Sequence, residues 1–250
     1  MPTSVDLNAD VGETEGDLVL LGIVTSASVA CGYHAGGPEQ MRRAVVESAR
    51  LGVVVGAHPS YPDREGFGRR GSTRSAELVA GDVREQVGAM QEIAAAEGSA
   101  VRYVKLHGAL YHRAAADFEV AEAIAAVIAS CGPLAVLAQP GAAMLEAAER
   151  HGLRTAAEAF CDRAYGADGH LVDRSVPGAV LVDADAAAAQ AVSIAREQVV
   201  ILADGRRVPV RASSLCVHGD TPGVLEHAVR VRAALEAAGV GIAPFVTGIT

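Results

Sequence analysis

The sequence predicts an α/β fold in which parallel strands alternate with helices. Short runs rich in β-branched residues alternate with alanine-rich amphipathic stretches, a rhythm typical of repeated βα units around a parallel sheet. Four of the eight histidines end such apolar runs, and a barrel of parallel strands would bring those ends to one rim. They are His34, His58, His107 and His218. With 250 residues, 50% of them hydrophobic, the chain can bury one large core, and we expect a single domain over 1–250.

The predicted elements follow one another in βα order. Strands are predicted at 4–8, 27–31, 53–57, 101–106, 134–138, 154–158 and 214–217. Helices are predicted at 38–50, 75–97, 117–130, 141–150, 184–198 and 222–238. Pro38 and Pro222 stand where the first turn of a helix tolerates proline. The segment 199–213 breaks the rhythm, because two β-rich pieces flank Asp204-Gly205, a turn signal. We expect an inserted hairpin there.

Composition excludes several classes of protein. The net charge of −9 argues against nucleic acid as a partner, because binding phosphates requires a basic face. The chain has neither a secretory leader pattern nor an apolar run of roughly 18 residues, so we expect a cytoplasmic protein with no membrane partner. The cysteines lie far apart without a C-x-x-C pair, which predicts reduced thiols. They are Cys31, Cys131, Cys161 and Cys216.

Ionisable side chains accompany the four histidines near the predicted strand ends. A single histidine there could simply bond a neighbouring loop, but burying many ionisable groups at one rim without partners would cost several kcal/mol. A shared active site is therefore the favoured interpretation. The accompanying polar residues are Asp6, Asn8, Asp10, Glu13, Lys105, Glu158 and Asp220.

The loop after the third strand carries a group of arginines. Arginine binds carboxylate and phosphate bidentately, and the glycines of this loop let its backbone approach an anion, so an anion-binding lid is one interpretation. The alternative is a solvated loop whose arginines pair with Asp63, Glu65 and Glu77. The sequence contains no G-x-x-x-x-G-K-[ST] phosphate cradle, so a nucleotide would bind in another way or on a partner. The arginines are Arg64, Arg69, Arg70 and Arg74.

Six segments in order resemble the signature segments of the LamB/YcsF family. They are DLNADVGE (6–13), SVACGYHAGGP (28–38), GAHPSYPDREGFGRR (56–70), VKLHGALY (104–111), EAFCDRAYGADGHLVDRSVPGAV (158–180) and CVHGDTPG (216–223). The resemblance implies an irregular seven-stranded β/α barrel of the glycoside hydrolase/deacetylase type. It also implies an ATP-dependent 5-oxoprolinase activity, which opens 5-oxo-L-proline to L-glutamate together with two further subunits, B and C. ATP, with Mg²⁺, would be the co-substrate of that complex.

The implied chemistry assigns roles to the candidate residues. A lactam is a resonance-stabilised amide, and phosphorylation of its carbonyl oxygen gives water a better electrophile to attack. His107 and His218 are the candidate acid–base groups, while Lys105 and Arg163 would clamp the carboxylate or an oxyanion. Asp10 and Glu158 would orient water or hold a cation, completing the expected catalytic set. The expected substrate-binding residues are Asn8, Glu13, His34, His58, Arg69, Arg70, Arg163 and Asp220.

Related barrels of the deacetylase group hold a divalent metal ion with one carboxylate and two histidines. Here Asp10, His34 and His58 would supply that set, although Val11 stands where those relatives carry a second aspartate. Two alternative functions therefore stay open. One is a metal-dependent amide hydrolase or deacetylase that acts alone, and the other is a non-catalytic subunit that binds a lactam.

Overall fold

The computed structural model describes residues 4–217 and 223–246. Within these ranges the strands are β1 (Ser4–Val11), β2 (Ser26–Ala30), β3 (Val54–His58), β4 (Val101–Val104), β5 (Ala135–Ala138), β6 (Arg154–Phe160), β7 (Val199–Ile201), β8 (Arg207–Pro209), β9 (Ser214–Val217) and β10 (Gly241–Ile242). The helices are α1 (Pro38–Leu51), α2 (Ala76–Ala96), α3 (Gly108–Ala116), α4 (Phe118–Ser130), α5 (Ala143–Arg150), α6 (Ala184–Glu197) and α7 (Val224–Ala237), and a 3-10 helix spans Asp17–Gly22.

Seven parallel strands close into a barrel. β1 to β6 pair in chain order, and β9 closes the ring by pairing with both β6 and β1. β10 adds a short parallel pairing to the beginning of β1. The register between β3 and β4 shifts at Val55 and Gly56, which makes the barrel irregular. The predicted irregular seven-stranded β/α barrel is thereby confirmed.

Local sequence explains where the helices begin and end. Pro38 occupies the first turn of α1, and Gly52 ends that helix in the left-handed region. Ser75 accepts a hydrogen bond from the backbone of α2, and Asp117 does the same for α4. The same Asp117 separates α3 from α4. These residues therefore fix where the helices begin and end.

The structure corrects several predicted boundaries. β1 continues to Val11, beyond the predicted end at residue 8, so Asp10 lies inside the strand together with Asp6 and Asn8. Because side chains alternate along a strand, these three share one face while Leu7 and Ala9 lie on the other. The prediction missed α3, and it placed residues 105–106 in a strand that ends at Val104.

The barrel interior is apolar at one end and polar towards the other. Tyr103 is fully buried, and its hydroxyl lies 3.1 Å from that of Ser28. A Cβ at Gly56 would lie 2.3 Å from the Tyr103 ring, so glycine makes room for that ring. Phe245 stacks edge-on against Tyr103 at 5.1 Å and helps to fill the apolar end. The polar face of β1 therefore meets the remaining interior, where the candidate residues collect.

β7 and β8 form an antiparallel hairpin inside 199–213, where the turn signal predicts one. The four cysteines are free, as their spacing predicts. Among the described residues, no helix combines the length and apolar character that crossing a membrane requires.

Candidate active site

A buried lysine lies at the floor of the site. Lys105 follows β4, and its Nζ atom lies 2.9 Å from Oδ1 of Asp10 and 3.0 Å from Oε2 of Glu158. The same atom donates to Oδ1 of Asn8 at 3.3 Å. Burial opposes the charge of Lys105, but the Asp10 carboxylate and its neighbours raise the pKa of this lysine well above its ordinary value. Lys105 is therefore a permanent ammonium ion rather than a base.

A layer of hydroxyl groups orients the carboxylates beneath Lys105. The Asp6 carboxylate accepts hydrogen bonds from Thr25, Ser26 and Ser214. The Asn8 amide donates to Ser214 at 2.7 Å, which turns its oxygen towards Lys105. Burial, partly offset by these hydroxyl donors, raises the pKa of Asp6 to about 6. The strand face that carries Asp6, Asn8 and Asp10 is thus an ordered polar column.

Three histidines and one glutamate form a second cluster beside Lys105. Oε1 of Glu13 lies 2.9 Å from Nε2 of His34, 3.1 Å from Nδ1 of His107 and 3.6 Å from Nε2 of His58. Nδ1 of His107 and Nε2 of His58 are 3.0 Å apart. Burial lowers the pKa of His34 to about 4, which keeps that imidazole neutral at pH 7. We call these four residues the histidine–glutamate cluster.

The loop after β3 covers this cluster. The φ angle of Gly68 is +67°, and a Cβ there would lie 2.9 Å from Cδ2 of His107 and 3.0 Å from Cβ of His34. The carbonyl oxygen of Phe67, the preceding residue, accepts a hydrogen bond from Nε2 of His107 at 2.9 Å. Only glycine combines this backbone conformation with so close an approach. The loop therefore seals one side of the cluster.

A cavity of about 450 Å³ opens onto both groups. Its floor includes Asp10, Glu13, His58, Lys105 and His107, and its rim is cationic. Among the other residues that line it are Arg69, Tyr111, His112, Phe160, Arg163, Asp173 and Arg174. Lys105 offsets part of the negative charge of the floor, and the cationic rim suits a small anionic ligand.

Arg163 is the buried member of the cationic rim. It is 3% exposed, and its guanidinium donates to the carbonyl oxygens of Ala179 and Val172 at 3.2 and 2.6 Å. These two bonds tie together the long loop that follows β6. Burial and the neighbouring Arg174 lower the pKa of Arg163 from its ordinary value.

The structure brings most of the predicted site residues together. Asp10, Glu13, His58, Lys105, His107, Arg69 and Arg163 line the cavity, while Asn8, His34 and Glu158 lie buried behind its floor. Arg70 lies elsewhere, with its side chain 66% exposed and paired with Asp63 and Glu65. His218 and Asp220 lie outside the described residues.

The remaining arginines of the loop after β3 have structural contacts. Arg64 donates to the carbonyl oxygens of Gly32 and Gly36, and Arg74 pairs with Asp82. Arg69 alone among the four arginines of this loop reaches the cavity lining.

Sequence reasoning missed the rim residues Tyr111, His112 and Arg174. The signal for Arg174 was the unusual length of the segment between β6 and α6, because long loops at the carboxyl ends of barrel strands carry function. Tyr111 and His112 lie on α3, a helix that the predicted elements do not include. A helix that begins directly after a strand-end histidine was the available clue.

A closed parallel barrel whose ionisable groups converge at the carboxyl ends of its strands is the architecture of β/α-barrel enzymes. The family model for the LamB/YcsF family matches residues 5–249, and the chain belongs to that family. The A subunit of a 5-oxoprolinase from Chloroflexus aggregans is 48% identical over 246 residues, which cover 96% of this chain and 98% of that protein.

Solved structures agree with this assignment. The crystal structure of a lactam utilization protein from Thermus thermophilus is 43% identical and has a TM-score of 0.90, covering 97% of this chain and all of that one. A T48 deacetylase solved with substrate is 12% identical, with a TM-score of 0.51 over 96% of this chain and 86% of that one. The second likeness concerns the fold alone.

Proposed function

We propose that this chain is the A subunit of an ATP-dependent 5-oxoprolinase and that its cavity is where the lactam ring is opened. The observation that carries the proposal is the Lys105 ammonium group, held between the carboxylates of Asp10 and Glu158 at the floor of a small cavity with a cationic rim. Extensive similarity to a protein named as the A subunit of 5-oxoprolinase supports the choice of substrate. That name also supports assembly with partner subunits, which we take to be B and C.

The cavity offers a complementary contact for the carboxylate and for the lactam carbonyl of 5-oxoproline. The substrate carboxylate would bind the rim arginines Arg69 and Arg163, which line the cavity. The ammonium group of Lys105 would face the lactam carbonyl oxygen and stabilise negative charge that develops there. Because Asp10 and Glu158 hold Lys105 in place, little reorganisation is needed when that charge appears.

The proposed reaction consumes one ATP and two water molecules. The γ-phosphoryl group of ATP moves to the lactam carbonyl oxygen, and ADP leaves. Water then attacks the activated carbon, the ring C–N bond breaks as the nitrogen takes up a proton, and an acyl phosphate results. A second water releases phosphate and L-glutamate. Lacking the common phosphate cradle in its sequence, this chain would receive the activated lactam, or ATP with Mg²⁺, through its partners.

Proton transfers in this reaction need groups beside the carbonyl carbon. Glu13, His58 and His107 line the cavity next to Lys105, and a carboxylate with imidazoles can accept a proton from water and pass one to the ring nitrogen. Lys105 is unsuited to this task because its pKa is raised. We therefore assign charge stabilisation to Lys105 and proton handling to the histidine–glutamate cluster.

An omission assay tests this function. The purified chain would be mixed with candidate B and C subunits, and ADP and glutamate would be measured with and without 5-oxoproline. We expect 5-oxoproline-dependent formation of both products only when all three subunits are present. Turnover by the B and C subunits without this chain would contradict the proposal.

A metal-dependent amide hydrolase that acts alone is the second candidate. The histidine–glutamate cluster favours it, because its four ligand atoms lie within 4.8 Å of one another. This function would show as ATP-independent hydrolysis of amides or acetylated substrates by the isolated chain. Robust turnover of that kind, with no effect of ATP or of the other subunits, would replace the three-subunit proposal.

A further inference from the structure

We propose that Glu13, His34, His58 and His107 form a binding site for one divalent transition-metal ion of the Zn²⁺ type. The site does not depend on which substrate the cavity takes. It differs from the set expected from related barrels, because Glu13 replaces Asp10 and His107 is an additional ligand. Three features of the cluster lead to this assignment.

The first feature is the spacing of the ligand atoms. In a tetrahedral zinc site, ligands bound at about 2.0–2.1 Å lie roughly 3.3–3.5 Å apart. Oε1 of Glu13 is 2.9, 3.1 and 3.6 Å from the facing nitrogens of His34, His107 and His58. The His58 and His107 nitrogens are 3.0 Å apart. All four atoms lie within 4.8 Å of one another, so side-chain adjustments would bring them to coordination distance from one ion.

The second feature is the set of hydrogen bonds on the outer side of each ring. Nδ1 of His58 lies 2.8 Å from the carbonyl oxygen of Lys105, and Nε2 of His107 lies 2.9 Å from that of Phe67. A carbonyl oxygen only accepts hydrogen bonds, so both outer nitrogens carry protons. In a neutral imidazole the other nitrogen then has a free lone pair. For His58 and His107 those lone pairs face the centre of the cluster.

His34 is oriented in the same way through a hydroxyl group. Its Nδ1 atom lies 2.9 Å from Oγ of Ser60, and that hydroxyl donates its proton to the carbonyl oxygen of Tyr61 at 2.9 Å. Ser60 must therefore accept from Nδ1 of His34. Such outer partners fix the tautomer of metal-binding histidines in known sites. All three rings are thus set to offer a lone pair inwards.

The third feature is the charge that this arrangement demands. With those tautomers, three nitrogen lone pairs and a carboxylate oxygen face one another at 2.9–3.6 Å, and acceptors so close together repel. One extra proton on a histidine forms one hydrogen bond and leaves the other contacts unbalanced. A divalent ion balances all four at once.

Asp10 is engaged elsewhere. Its two oxygens lie 2.9 and 3.3 Å from Nζ of Lys105. Its contact with the cluster is the 3.4 Å distance from Oδ2 to Nε2 of His58. Lys105 therefore neutralises Asp10, while Glu13 provides the carboxylate of the cluster. Three members of the cluster also line the cavity, so a bound ion would be open to ligand on one side. It would occupy the lone pairs that handle protons in the metal-free cluster and would supply Lewis acidity in their place.

Metal binding by the intact, tag-free chain tests the proposal. Protein freed of metal by a chelator would be titrated with Zn²⁺ by calorimetry and with Co²⁺ by visible absorption, and elemental analysis would give the stoichiometry. We expect one equivalent bound and visible bands typical of four- or five-coordinate Co²⁺. Failure of the folded wild-type chain to take up either ion would overturn the proposal.

Variants then locate the ion. Glu13→Gln and His58→Ala should weaken Zn²⁺ binding at least tenfold, whereas His151→Ala should leave it unchanged, because His151 pairs with Glu122 away from the site. Ser60→Ala keeps all four ligands and should still weaken binding by about tenfold or more, since it removes the partner of His34. If the Glu13 and His58 variants do not fold, the Zn²⁺ affinity of the Ser60 variant tests the location of the ion. Equal affinity in the wild type and in all folded cluster variants would overturn the assignment, whereas normal metal binding without 5-oxoprolinase activity would count against the proposed function alone.

Discussion

The Nζ atom of Lys105 lies 2.9 Å from Oδ1 of Asp10, which joins the loop after β4 to β1 across the barrel. Glu158 of β6 completes the contact from a third strand at 3.0 Å. Both the lysine and the glutamate side chains are almost fully buried. An ammonium ion with two carboxylates in a barrel interior links the stability of the fold to the chemistry of the site.

Removing the lysine should therefore destabilise the fold. Lys105→Met leaves Asp10 and Glu158 buried without their cation, and loss of one partner of a buried pair costs about 3–5 kcal/mol. Denaturant unfolding would measure this loss. The double variant Lys105→Met/Glu158→Gln removes one charge of each sign and should recover a large part of the stability. A double variant no more stable than Lys105→Met would show that the pair is not coupled.

The raised pKa of Asp6 predicts that the stability of the folded chain depends on pH. Its pKa is raised from 3.8 to about 6, so the folded state favours the protonated acid. The corresponding stability is present below about pH 4 and is lost as the pH rises to about 6, a change of about 3 kcal/mol. Asp6→Asn removes this titration, so the variant should gain stability relative to the wild type between pH 4 and pH 7.

Chemical denaturation across that pH range checks the Asp6 prediction. Asp204→Asn is a suitable control, since hydrogen bonds from Arg206 lower the pKa of this exposed aspartate below its ordinary value and it stays ionised throughout. Its stability difference from the wild type should stay constant. If the stability difference between Asp6→Asn and the wild type also stayed constant over this pH range, the raised pKa of Asp6 would be contradicted.

The arginines of the loop after β3 should differ in their effects. Arg69 lines the cavity, whereas Arg70 is exposed and paired with Asp63 and Glu65. In the assembled complex, Arg69→Ala should raise KM for 5-oxoproline by about tenfold or more, equivalent to about 1.5–3 kcal/mol for a lost charged hydrogen bond. Arg70→Ala should leave KM unchanged, as should Arg230→Ala on α7. Equal, negligible effects of all three would place the substrate carboxylate elsewhere, with Arg163 next to be tested.

Gly68 should be intolerant of a side chain for two separable reasons. Gly68→Ala meets His107 and His34 at about 3 Å and also carries a positive φ. Gly52→Ala has a similar φ of +71° with nothing within 4 Å, so it reports the backbone strain alone, about 1–2 kcal/mol. We expect kcat to fall at least tenfold only in the Gly68 variant. Comparable kcat values in the two variants would show that the loop does not order the histidines.

Much of the barrel and the membership of its site could be predicted from sequence. Strand-end histidines such as His58 and His107 indicate the position of the site, because the carboxyl ends of parallel strands all lie at the same end of the barrel. The sequence could not predict that Asp10 pairs with Lys105 while Glu13 contacts the histidines, because this depends on which carboxylate Lys105 reaches across the barrel. Similarly, adjacent arginines at 69 and 70 look alike in sequence, yet Arg69 lines the cavity and Arg70 is exposed, a difference that depends on the path of the loop backbone.

The boundaries that failed have local causes. α3 is only nine residues long, and Asp117 both ends it and caps α4. The sequence pattern therefore indicates α4 alone and leaves the residues of α3 in the loop before it. β1 runs on to Val11 because its polar residues face the barrel interior. A pattern of apolar residues alone therefore predicts too early an end for β1.

The central claim is that the lactam is opened in the cavity of this chain, and one measurement tests it most directly. Complexes assembled with either the wild-type chain or Lys105→Met/Glu158→Gln would be given 5-oxoproline labelled with ¹³C at the lactam carbonyl, and glutamate formation would be followed by NMR. Equal assembly and folding of the two chains would be verified first. The account predicts that the double variant loses at least 100-fold in the rate of glutamate formation. A rate near that of the wild type would contradict it and show that the ring is opened on another subunit.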